Sequence, residues 1–131
     1  MFDRTGNIIF LPKHVNVVIH EECRNDIERL LSPEDIPAFI ASYAARIEFL
    51  SLNIGRETFL HRSWFEVLKC SGGFRSIRFV SIRNLRILYA IEKDIAYLLL
   101  TFEEKSGHRN TEYAKYIDVA KKRLSEKELM L

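Results

Sequence analysis

The chain has 131 residues, 47% of them hydrophobic, a size and an apolar share that suit one domain with an ordinary core. Formal net charge is only +2, too small to imply a nucleic-acid or membrane partner by itself. No run of about 18 apolar residues exists, and Met1-Phe2-Asp3-Arg4 lacks the basic start and apolar block of a secretory signal, so one soluble cytoplasmic domain over residues 1–131 is expected, with no membrane partner.

In chain order, Asn7 to Leu11 and Val15 to Ile19 are β-prone runs separated by Pro12-Lys13-His14, and they suit a hairpin whose first arm is an edge. Glu21 to Leu31 places Cys23, Ile27, Leu30 and Leu31 on one helical stripe. Ser32-Pro33-Glu34-Asp35 reads as a helix start, with Ser as N-cap, Pro at the first helical position and acids in the first turn. Pro37 is expected to delay the regular helix by several residues, because it lacks an amide donor and restricts Ile36. Phe39, Tyr43, Ile47, Leu50 and Ile54 then repeat at helical spacing, and Gly55 ends what should be the longest helix.

After the polar connector Arg56 to Ser63 the pattern changes to period two. Strands are expected at Trp64 to Lys69, Phe74 to Val80, Asn84 to Ile91 and Ile95 to Phe102, with turns at Ser71-Gly72-Gly73 and Glu92-Lys93-Asp94. Short turns between consecutive strands predict an antiparallel meander, and the nearly all-apolar last strand should be central and covered on both faces. A final helix begins near Asn110 or Thr111 and aligns Tyr113, Ile117, Ala120 and Leu124, while Lys121, Lys122 and Arg123 suit the negative end of its dipole. The fold class is α+β: an antiparallel β-meander packed against two N-terminal helices and one C-terminal helix.

Cys23 and Cys70 form no CxxC spacing and read as reduced thiols, and His14, His20, His61 and His108 include no helical i, i+4 pair. Neither a metal nor a cofactor is expected.

The distribution of charge is more informative than its sum. Between Leu60 and Ile91 the bases are Arg62, Lys69, Arg75, Arg78, Arg83 and Arg86, and the single acid is Glu66. They alternate with Trp64, Phe65, Phe74, Phe79 and Tyr89, a mixture suited to phosphates and bases, or equally to a solvated strand surface with edge-protecting charges. Register sharpens the choice. Pairing Val80 with Asn84 sets Phe79 opposite Leu85, Ile77 opposite Ile87 and Arg78 opposite Arg86, so apolar pairs collect on one face and the arginines meet on the other. A tight turn at Lys93-Asp94 extends this to Ile91 with Ala96, Tyr89 with Leu98, Ile87 with Leu100 and Leu85 with Phe102. Arg86 would then lie near Thr101, with Glu103 and Lys105 further along. Two like charges placed opposite each other call for an anion between them: a phosphate, or a carboxylate from Glu103 or Glu104.

The runs Phe65-Glu-Val-Leu-Lys69, Gly72-Gly-Phe-Arg-Ser-Ile-Arg78, Leu85-Arg-Ile-Leu-Tyr89 and Ala96-Tyr-Leu-Leu-Leu-Thr-Phe102-Glu-Glu-Lys105 resemble the core of RelE/ParE superfamily toxins, especially the HigB-like, phage-derived branch. The resemblance covers about half of the chain and is carried by the ordered set rather than by one motif. It implies a type II toxin of a toxin-antitoxin system, neutralised by an antitoxin that carries a helix-turn-helix domain. It implies a ribosome-dependent mRNA endoribonuclease as well, metal-independent, in which the ribose 2′-OH attacks the neighbouring phosphate.

By that resemblance Arg78, Arg86 and Lys105 match the family's basic set. The arginines would clamp the pentavalent phosphate, and Lys105 or His108 would handle proton transfer. Arg62, Lys69, Arg75, Arg83 and Tyr116 are the further RNA-binding candidates, and Tyr113 is expected to pack the last helix on the sheet. The sequence departs from the pattern at Glu103 and Glu104, with Glu104 where many relatives have a lysine. Two alternatives belong to a different class: a ParE-like inhibitor that binds DNA gyrase, and a non-catalytic protein- or DNA-binding module.

Overall fold

A computed structural model describes residues 13–56, 63–68, 72–105 and 109–131, without the side chains of 109–112. The chain forms β1 (Val17–Ile19), α1 (Glu21–Leu30), a 3-10 turn (Pro33–Asp35), α2 (Ile36–Asn53), β2 (Phe65–Val67), β3 (Arg75–Phe79), β4 (Leu85–Glu92), β5 (Ile95–Glu103), α3 (Arg109–Leu124) and a last 3-10 turn (Lys127–Leu129). It is an α+β architecture: one five-stranded mixed sheet, in the order β1-β5-β4-β3-β2, and three helices.

Helix α1 starts at His20, whose Nδ1 accepts the amide of Glu22 at 3.0 Å, and it buries Cys23, Asp26 and Ile27 against the sheet. Asp35 closes the next start by accepting from both the amide and the hydroxyl of Ser32, at 3.1 and 2.8 Å. The expected delay at Pro37 does not occur. Helix α2 begins at Ile36, which makes Pro37 its second residue, where an α-helix needs no amide donor. Phe39, Tyr43, Ile47 and Leu50 are buried as the periodicity requires, and Gly55, at φ +91°, takes the left-handed conformation that ends the helix.

Strands β2 to β5 form the antiparallel meander, and β1 adds parallel to β5, with Val17 opposite Ala96 and Ile19 opposite Leu98. The first arm of the expected N-terminal hairpin, Asn7 to Leu11, lies outside the described residues. The β4–β5 turn places Lys93 and Asp94 at φ 51° and 64°, the double left-handed geometry that suits the twist of a two-residue hairpin.

Two apolar layers result. Ile77, Phe79, Leu85, Ile87, Tyr89, Ala96 and Leu98 pack with Cys23, Ile27, Phe39 and Ile47 beneath α1 and α2. On the other face Phe74, Leu88, Ala90, Leu99, Leu100 and Phe102 pack with Ala120 of α3. Strand β5 is covered on both sides, as expected.

The registers Ile91 with Ala96 and Tyr89 with Leu98 are present, but a bulge follows. Leu88 pairs with Leu100, so Leu99 is extra, and Ile87 then faces Thr101, Arg86 faces Phe102 and Leu85 faces Glu103. The expected pairs Ile87 with Leu100 and Leu85 with Phe102 are therefore displaced by one residue, and each β5 side chain beyond the bulge changes face. Side chains satisfy the strand edge that β1 leaves uncovered there: Asp26 Oδ2 accepts the Thr101 amide at 3.1 Å, and Arg123 Nη1 donates to the Leu99 carbonyl at 2.9 Å. Arg123 also bonds Asp26 Oδ2 at 2.8 Å, which ties α1 to α3 around the edge.

A candidate anion site closed by a carboxylate

The candidate site lies in the β3–β4 hairpin. Arg78 and Arg86 are direct cross-strand partners, as the apolar alternation demanded, and both belong to the face that carries α3. Arg78 is half-buried near the end of its strand. Arg86 is in the middle of the sheet, and only 4% of it is exposed.

A buried guanidinium needs a counter-charge, and Glu104 supplies it. The bulge brings Glu104, rather than Glu103 or Lys105, to the arginine face, opposite Asn84, whose carbonyl accepts the Glu104 amide at 3.1 Å. Arg86 Nε donates to Glu104 Oε2 at 2.9 Å, and Nη2 donates to the same oxygen. The other oxygen, Oε1, accepts from the Tyr113 hydroxyl at 3.1 Å. Burial pushes the Tyr113 phenol above its ordinary value, and the neighbouring Glu104 charge adds to the shift, so the hydroxyl remains a donor at neutral pH. Glu66, from β2, lies on the same face and accepts from Ser76 at 3.4 Å. Arg86 Nη1 is buried and has no hydrogen-bond partner among the described residues.

Among the described residues, Arg83, Arg75 and Tyr116 do not converge on this pair. Arg83 turns toward the helices, where Nε bonds Asp35 at 3.0 Å and Nη1 bonds the Leu30 carbonyl at 3.3 Å, so it braces the α1–α2 junction. Arg75 alternates with Ser76 and therefore shares the face of Ile77, opposite to Arg78. Tyr116 stacks on Phe102 at 4.2 Å between ring centroids, so the ring proposed for a base is already used in packing α3. Tyr113 meets Phe102 edge-on at 5.3 Å, as its packing role required. Lys105 is exposed beyond the end of β5. Arg62, Lys69 and His108 lie outside the described residues.

Three polar residues gain roles that the sequence reading did not give them. Arg46, on α2, donates to the Arg78 carbonyl at 2.9 Å and places its guanidinium 4.7 Å from the Trp64 ring centre and 5.0 Å from that of Phe79. Arg123, expected only to complement a helix dipole, is the bulge clamp described above. Its partner Asp26 did leave a signal: an acid three residues after Cys23, on the apolar stripe of α1, is placed to be buried and so requires a partner.

Comparison of the chain with family models, with curated proteins and with solved structures returns no match.

Proposed function

We propose that this chain is a RelE/ParE-like type II toxin of the cytoplasm, neutralised by a cognate antitoxin, which inhibits its target by binding it rather than by cutting RNA. The observation that carries this reading is the state of Arg86, buried and shared with Glu104. Stabilising a phosphorane requires donors aimed at the position where charge develops and open to the incoming substrate. Here that guanidinium faces an internal carboxylate, so Arg86 serves as structure in this conformation. A toxin so built acts by occupying a macromolecular surface, as an inhibitor of DNA gyrase does. Support for the toxin class comes from the two helices before the meander, the paired arginines of the hairpin and the closing helix, which agree with what the resemblance implies.

One observation favours the second reading, a ribosome-dependent mRNA endoribonuclease. Arg78 and Arg86 are cross-strand neighbours, so movement of Glu104 would leave two guanidiniums within reach of one phosphate.

Expression without an antitoxin separates the readings. The expected result is growth arrest with intact translated messages in primer extension, and inhibition in a gyrase supercoiling assay with purified protein. Ribosome-dependent cuts that vanish in Arg86→Leu would replace the binding mode with the nuclease. Unimpaired growth would remove the toxin class altogether.

A further inference from the structure

We propose that the outward face of α2 is a self-association surface, on which a second copy of this chain lays its own α2 antiparallel about a two-fold axis through Ala45. This face lies on the opposite side of the sheet from the arginine pair, and the proposal holds whatever the target of the protein is.

Helix α2 is apolar nearly all round. Of its 18 residues only Arg46 and Glu48 are charged, and Arg46 is turned inward, where it bonds the Arg78 carbonyl and lies over Trp64 and Phe79. Phe39, Tyr43, Ile47 and Leu50 face the core. At the helical repeat the side opposite them is Ala38, Ala41, Ala45, Glu48 and Leu52, each of them exposed. Exposed alanines alone are ordinary on a solvated helix, because alanine is the best helix former. This face differs from a solvated one in having a single charge, and in carrying Leu52, 70% exposed, at the same end as Val15, 97% exposed. Asn16 and Ser51 exchange two hydrogen bonds, of 2.8 and 2.7 Å, that fix the segment of Val15 to this end of α2. Two large apolar groups held in water at one place, on a helix without a polar face, mark a surface built to be covered.

The spacing along that face names the occupant. A two-fold contact requires one patch to be complementary to itself. Ala38 and Leu52 each stand two turns from Ala45, in opposite directions, and Ala41 and Glu48 each stand about one turn away. An antiparallel pair therefore sets Ala45 against Ala45, and Ala38 opposite Leu52 of the second copy. Small residues fill the N-terminal half and the large one the C-terminal half, so each leucine enters the hollow over an alanine, and the alanine at the axis lets the backbones approach closely. Glu48 falls at the flank of the strip, where its carboxylate stays hydrated. A parallel pair instead sets leucine against leucine and Glu48 against Glu48, which like charges oppose. One helix pair buries less than the roughly 1,600 Å² of a standard interface, so the association is weak and reversible.

The full chain is tested in a Cys70→Ser background, in which the remaining cysteine, Cys23, is buried. Sedimentation velocity over a range of concentrations should show a monomer–dimer equilibrium. Ala45→Glu, which sets two like charges together at the axis, should weaken it roughly tenfold or more with the far-UV circular dichroism unchanged. Single cysteines define the geometry by disulfide formation under mild oxidation, which needs Cα atoms within roughly 7 Å of each other. Ala45→Cys should cross-link to itself, whereas Ala38→Cys should cross-link to Leu52→Cys in a mixture and to itself far less. A chain that stays monomeric up to roughly 0.5 mM leaves the face to a different partner and overturns the proposal. So does a dimer that survives Ala45→Glu, or Ala38→Cys pairing with itself as readily as with Leu52→Cys. Should Ala45→Glu fail to fold, Leu52→Ser decides: a several-fold weaker dimer is expected, and a dimer as tight as wild type refutes the contact.

Discussion

Replacing Asp26 by alanine should be among the most damaging single changes in this chain. Its side chain is 3% exposed and accepts from the Thr101 amide, from Arg123 and from Arg29. The Arg29 bond adds little, because that side chain is 66% exposed and such pairs contribute about 0–1 kcal/mol. The Thr101 bond is buried, and the Arg123 pair is largely so, its guanidinium side 16% exposed. Breaking a buried ion pair from one side costs about 3–5 kcal/mol, and that figure contains the orphaned Thr101 amide, itself worth about 1–3 kcal/mol.

Arg123 keeps its bond to the Leu99 carbonyl, which holds the loss toward the lower end. The expected destabilisation for Asp26→Ala is therefore about 3–4 kcal/mol, a large part of the roughly 5–15 kcal/mol of a typical domain. Asp26→Asn keeps an acceptor for the amide and should lose about half as much, whereas Arg29→Ala should lose about 0.5 kcal/mol or less. Urea unfolding followed by far-UV circular dichroism measures all three. Equal losses for Asp26→Ala and Arg29→Ala, or a loss below about 1 kcal/mol for Asp26→Ala, would refute the claim that this carboxylate replaces a missing strand at the bulge.

Two further predictions follow from titratable groups. Burial pushes the Cys23 thiol up to about 12, so in a Cys70→Ser background it should resist a thiol reagent at pH 8 and react only after denaturant is added; rapid native labelling would contradict the burial. The Ser32 hydroxyl and amide, with Arg83 beside them, hold the Asp35 carboxyl below its ordinary value. A depressed carboxyl contributes stability above its unfolded value, near pH 4, and that contribution disappears as the pH falls through the folded one. Wild type should therefore exceed Asp35→Asn in urea midpoint at pH 7, with the gap closing in stronger acid, and a gap that widens on acidification would reverse the assigned sign.

How much of this was legible in the sequence depended on whether a position had a contrasting neighbour. The β3–β4 register could be read because Ile77, Phe79, Leu85 and Ile87 alternate with arginines, and a slip by one would bury charge. The bulge could not, because Leu98-Leu99-Leu100 offers three equivalent apolar residues and an extra one leaves no mark on the pattern. That single residue is why Glu104, rather than the Glu103 and Lys105 expected along the arginine edge, lies on the face of Arg86. The role of Arg83 escaped for a different reason: a turn arginine has no face, and its partner Asp35 is remote in sequence. Tyr116 reads as a ligand candidate in the sequence because periodicity does not record that Phe102 lies under it, a fact that itself depends on the bulge.

The extra leucine in β5 also behaves as a phase shift written into the backbone. Glu103, Glu104 and Lys105 are consecutive, and strand parity alone selects which of them is presented to the paired arginines. Gain or loss of one residue at Leu99 would exchange an acid for its neighbours at that position while leaving each site residue unchanged in identity. Among chains built on this plan, an insertion upstream in the last strand could thus alter the chemistry of the arginine face as thoroughly as a substitution within it.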